Sequence, residues 1–234
     1  MSATAPKSPT ILLALFTLII VPLLIWLEKV EPKVWVERLL SPDGLSEGPR
    51  HQPLVTDGIF LPPVILENMT LTKAMPVIIP GVVRVPKGIT LRIEEGTTVF
   101  VHEYGQLLVE GELIAVGTET NPLHFTTNET HVANQTWAGI VFAPQSKGTI
   151  TDATFHHASP TITCGKESVV ALNHATITLG NLGIYTESVN CRIQNSLIEH
   201  VTNGVIGIGF TPVVIATTIN AKNEKVQEFS VSAP

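Results

Sequence analysis

Asp152, His174 and Asn195 are the residues of this chain best placed to do chemistry, because they follow one another at spacings of 22 and 21. A chain that repeats with that period stacks them in one column. A carboxylate beside an imidazole favours the charged imidazolium and makes half of an acid–base pair. His156, His157 and His200 lie in the same stretch. His157 and His200 share a second column with Leu179 between them, too far apart to ligate one metal ion. A polar ladder on a solvent face or in a turn explains the Asp152 column equally well, and the rest of the inventory favours it. The whole chain holds three aspartates, Asp43, Asp57 and Asp152, with no D-x-D or D-D pair. Glu187 and Glu199 are near in sequence but occupy different positions in the repeat. A calcium site needs six to eight oxygen ligands from a clustered acidic set, so no metal and no cofactor is expected. Asp152 and His174 remain the catalytic candidates.

Cys164 and Cys191 are 27 residues apart, one repeat plus five or six positions. Stacking Cys191 on Val170 leaves Cys164 around a corner, so the spacing favours two free, partly buried thiols over a bridge. Three N-x-T sequons begin at Asn68, Asn128 and Asn134; they matter only in a eukaryotic secretory pathway. They mark residues 127–136 as an expected exposed loop.

The elements that must position these residues are short. From about Val77 the chain alternates four- to six-residue β-rich runs with Gly and Asn, for example Val82-Val83-Arg84-Val85 and Thr98-Val99-Phe100-Val101. Neither 3.6-residue periodicity nor helix-length runs interrupt them. Four segments then align: Gly148–Phe155, Val170–Ile177, Cys191–Ile198 and Pro212–Ile219. One column reads Ile150, Leu172, Ile193, Val214, another Phe155, Ile177, Ile198, Ile219, and a third, half a period away, Ile140, Ile162, Ile184, Val205. Between them runs a small column, Ala153, Ala175, Ser196, Thr217. A 21–22-residue unit cannot bury its own core, so successive units must stack. The expected fold is all-β: a parallel β-solenoid whose inward ladders form one continuous core and whose small column fits a tight corner.

The chain resembles the right-handed parallel β-helix proteins of the pectate-lyase-like superfamily over roughly residues 77–220. The similarity lies in Val85-Pro86-Lys87-Gly88-Ile89-Thr90-Leu91-Arg92-Ile93 through Gly96-Thr97. It continues in Leu107 to Thr118, in Asn121-Pro122-Leu123-His124-Phe125-Thr126, and in Trp137-Ala138-Gly139-Ile140-Val141-Phe142. The resemblance implies the fold and says little of activity, since this architecture hosts lyases, hydrolases, epimerases, adhesins and surface modules. Family hydrolases use clustered aspartates, and family lyases a calcium-binding acidic cluster with a basic residue. This chain has neither.

Ser8 to Leu27 carries no charge, and twenty such residues as a helix span about 30 Å, one bilayer core. A cleaved signal peptide would have a shorter apolar run ending in a small-x-small site. Here Glu28-Lys29-Val30-Glu31-Pro32-Lys33 follows instead. The expected organisation is a cytoplasmic tail (1–7), an uncleaved transmembrane anchor (8–27), a Pro-rich linker (28–75), the β-helix (76–222) and a C-terminal tail (223–234). Flanking charges are mixed, so orientation rests on the short tail preceding a long domain. With 14 Lys and Arg against 20 Asp and Glu and no basic run, nucleic acid is not an expected partner. The function expected is a membrane-anchored, non-catalytic extracytoplasmic module with a structural or surface-binding role, its partner a surface polysaccharide or a protein. The alternative is a carbohydrate-active enzyme, lyase or hydrolase, or a polysaccharide-binding module of the same superfamily.

Overall fold

The computed structural model describes residues 55–128, 137–223 and 225–229. All twenty elements in these residues are strands, and every pairing between them is parallel, each joining strands of successive turns of the chain. They form a β-solenoid with three walls. The first wall is seven strands in order: Val82–Val85, Gln106–Val109, Ile140–Phe142, Ile162–Cys164, Leu182–Thr186, Asn203–Ile208 and Val226–Phe229. The second and third walls share two ten-residue strands, Lys147–His156 and Val169–Thr178, which bend from one wall into the other.

The columns read from the repeat are ladders of the fold. Ile150 pairs with Leu172, Leu172 with Ile193, and Ile193 with Val214 on the second wall. Phe155, Ile177, Ile198 and Ile219 do the same on the third, and Ile140, Ile162, Ile184 and Val205 on the first. These residues are buried except Val214, which packs against the core from its edge. Alternation along the straight runs explains the pattern, since every second side chain of a strand points to the same face; it breaks at Asp152 and His174, where the two long strands bend. Below the aligned repeats the core thickens around aromatics: Phe125 stacks on Phe155 with centroids 4.8 Å apart, and the buried Trp137 lies beyond Phe125.

Pairing extends beyond the expected 76–222 on both sides. Ile59–Phe60 pairs with Val77–Ile78 and Met69–Leu71 with Leu91–Ile93, although both segments fall in the stretch read as linker. At the other end Val205–Ile208 pairs with Val226–Phe229. Of the prolines in 28–75 only Pro62 and Pro63 are described, and they follow the two-residue strand Ile59–Phe60 without entering it.

Two expectations need correction. Cys164 and Cys191 are not free thiols: they form a disulfide, with Cα atoms 6.3 Å apart. Cys164 ends a first-wall strand and Cys191 begins a second-wall strand one turn later, and both side chains are buried. The corner between these walls is tight enough that inward side chains on its two sides meet. One turn earlier Phe142 crosses it to lie against Gly148, where a Cβ would collide with the ring. The stretch read as an exposed loop also starts differently, because Thr127 and Asn128 are buried. Residues 129–136, with the Asn134 sequon, lie outside the described residues, as does the anchor segment 8–27. Among the described residues no helix is long and apolar enough to cross a membrane.

Candidate functional site

Asp152, His174 and Asn195 mark the corner between the second and third walls. Each has left-handed backbone, with φ of 48°, 50° and 47°, and Ala216 continues the series at 47°. Non-glycine residues rarely adopt this region, and Asp, Asn and His are enriched among those that do. Asp152, His174 and Asn195 suit this backbone, which Ala216 adopts without a polar side chain. His157, Leu179 and His200, with φ of 60°, 62° and 54°, form a second such column at the corner between the third and first walls. The small column follows the Asp152 corner directly. Ala175 N–H donates to Ser196 Oγ at 3.1 Å, and Ser196 N–H to Thr217 Oγ1 at 3.2 Å, so hydroxyls take up backbone groups that the ladder drops at the bend.

Asp152 and His174 do meet. His174 Nδ1 stands 3.6 Å from Asp152 Oδ1, with the imidazole about half exposed. Asn195 does not join them; its Nδ2 donates to Asn173 Oδ1 at 2.9 Å. Glu119 does come to the pair: it borders, with Asp152 and His174, an open depression of about 490 Å³. It escapes sequence alignment because it belongs to the Thr118–Asn121 turn, which lies outside the repeating columns. Gly117 lies beneath the corner, where a Cβ would run into the Asp152 carbonyl oxygen. The imidazole thus stands half open to solvent beside a carboxylate that is mostly covered. Among the described residues, no three His, Cys, Asp or Glu side chains are grouped to hold a metal ion.

The other histidines serve the third wall. His124 Nδ1 is 2.7 Å from Thr154 Oγ1, and His156 Nδ1 is 2.7 Å from Thr178 Oγ1, one turn on in each case. Burial holds both His156 and His157 below the ordinary imidazole range. Charge on His124 adds to the effect at His156, and charge on His156 to that at His157. Trp137 Nε1 donates to the His156 carbonyl at 2.9 Å, so this indole is a core anchor and not a sugar platform. Among the described residues Tyr104 is the most exposed aromatic, and Tyr185 donates to Glu187 Oε1 at 3.0 Å.

No protein-family model, characterised protein or solved structure matches the chain.

Proposed function

We propose that the chain is a non-catalytic display module. On this reading residues 8–27 anchor it in a membrane, and a right-handed solenoid of the pectate-lyase-like superfamily stands on the extracytoplasmic side, offering its walls to a surface polysaccharide or protein. The observation that carries the reading is the Asp152–His174 corner. Both residues serve a left-handed turn, and the depression they border with Glu119 is open instead of a closed groove that would strengthen their electrostatics. The Cys164–Cys191 disulfide supports the placement, since such bonds persist outside the reducing cytoplasm. The test is incubation of the full chain with uronic-acid and neutral polysaccharides, with and without calcium. The expected result is no new reducing ends and no unsaturated product. Turnover abolished by Asp152→Asn would overturn the reading.

A second reading draws on Glu119. Two carboxylates and an imidazole around one depression are the parts of a glycoside hydrolase, whose acid and base flank the sugar bond. That reading requires turnover that falls with Glu119→Gln and Asp152→Asn alike.

A further inference from the structure

We infer that the solenoid's two ends stack head to tail on second copies of this chain. The inference rests on the fold and not on the display role proposed above. A stacked-repeat protein needs terminal units with a polar outer face to stay soluble. At each end the described residues leave part of the apolar core columns uncovered, although Leu71 and Ile219 are buried. The third-wall core column begins at Ile59 and ends at Ile219, seven ladder steps later. Ile59 occupies an inward position yet is 37% exposed, because no strand covers it. The second-wall column begins at Leu71 and ends at Val214. On the first wall the inward Val226 is 37% exposed.

The two ends are complementary. Among the described residues, no strand pairs with the outer edges of Ile59–Phe60 and Met69–Leu71 at one end. None pairs with those of Val213–Ile215, Thr218–Ala221 and Val226–Phe229 at the other. Unpaired edges present rows of N–H and C=O groups that template further strands. All strands run the same way, so an incoming first turn meets the last turn as one more parallel repeat, setting Leu71 above Val214 and Ile59 above Ile219. The charges agree with this direction. The first turn exposes Asp57 and Glu67, and the last turn Lys222 and Lys225. Among the described residues, two other charged groups at these ends are already engaged: Lys73 pairs with Glu95, and Glu228 accepts from Thr211; Glu224 lies outside the described residues. A contact between two different surfaces does not close on itself, so the assembly grows beyond a dimer.

The test uses the full chain in detergent micelles, with mass measured by sedimentation across roughly a hundredfold range of concentration. Wild type is expected to form a concentration-dependent series larger than a dimer. Phe60→Lys blocks one end and Val226→Lys the other, at positions exposed enough to leave the fold intact, which unchanged thermal melts verify. Each variant alone is expected to be monomeric, and a one-to-one mixture to stop at heterodimers. Monomeric wild type overturns the inference. So does association of either variant alone, which would point to a symmetric contact or to association through the anchor.

Discussion

Asn128 grips the backbone of Val55 at both polar atoms of its amide, although 73 residues separate them. Its Oδ1 accepts from Val55 N–H at 2.8 Å, and its Nδ2 donates to the Val55 carbonyl at 2.9 Å and to His102 Nε2 at 3.1 Å. The side chain thus imitates an extra strand residue, and it ties the beginning of the described chain to a strand end three ladder steps up the third wall from Ile59–Phe60. Asn128→Ala leaves both backbone groups without a protein partner, at a cost of about 1–3 kcal/mol. Hydrogen exchange should show faster opening of residues 55–60 with little change around Ile177. Unchanged protection of these amides would show that the clamp does not hold them.

Ile177 lies between Phe155 and Ile198 in the most regular part of the core, fully buried. Ile177→Asp removes its methyl groups from both contacts and places a carboxylate in an apolar stack. Truncation alone costs about 2–5 kcal/mol, and the unpaired charge adds to it. The variant is expected to melt far below wild type or fail to fold. A melting temperature near wild type would contradict the inward orientation of the column.

The ladders around Ile177 were legible because every turn spends the same apolar residues at the same places. The Phe155, Ile150 and Ile140 columns needed only a period. What escaped the sequence lies where the period breaks. Glu119 sits in a turn longer than its counterparts, so no alignment could set it beside Asp152. The Cys164–Cys191 bridge spans a corner, and residue spacing does not reveal how closely a corner folds. Asn128 reads as a sequon in a polar run, and only the return of Val55 across the wall explains its burial. The Asp152 column was visible as a pattern, but its left-handed backbone was not.

If the turn selects Asp152, substitutions should rank by their tolerance of φ near 48°. Asp152→Asn and Asp152→Gly are expected to change stability by less than about 0.5 kcal/mol, because both tolerate that backbone and the contact with His174, at 3.6 Å, is long. Asp152→Val forces a β-branched residue into the left-handed region, at a cost of about 1–2 kcal/mol. Denaturant titration separates the three. Equal losses for Asn and Val would mean that the carboxylate matters more than the backbone.

His156 and His157 make stability depend on mild acid. Their proton affinity in the fold is depressed from an ordinary value of 6.5, chiefly by burial. The unfolded chain therefore takes up protons first as pH falls through 6.5, and the folded state loses ground until its own lower values are reached. Above that window both states are neutral and the effect vanishes. The melting temperature is expected to fall as pH drops below 6.5, and the fall to be shallower in the His156→Gln, His157→Gln double variant. An identical slope in the variant would assign the pH dependence to other groups.

The disulfide closes a 27-residue separation between two successive turns, with both sulfurs inside the core. Cross-linking a loop of that length restricts the unfolded chain by roughly 3–4 kcal/mol in the chain-entropy account. Reduction should therefore lower the melting temperature without altering the strand content at low temperature, because the parallel ladders on either side survive without it. Cys164→Ser with Cys191→Ser should do the same and abolish the effect of reductant. The burial of both cysteines makes a second expectation: reductant acts slowly on the native protein and quickly once denaturant is added, since thiol exchange requires access to a sulfur. Mass spectrometry after alkylation follows both rates. Two alkylated cysteines in the unreduced, denatured wild-type chain would show that the bond does not form, and would remove with it the support it lends to an extracytoplasmic location.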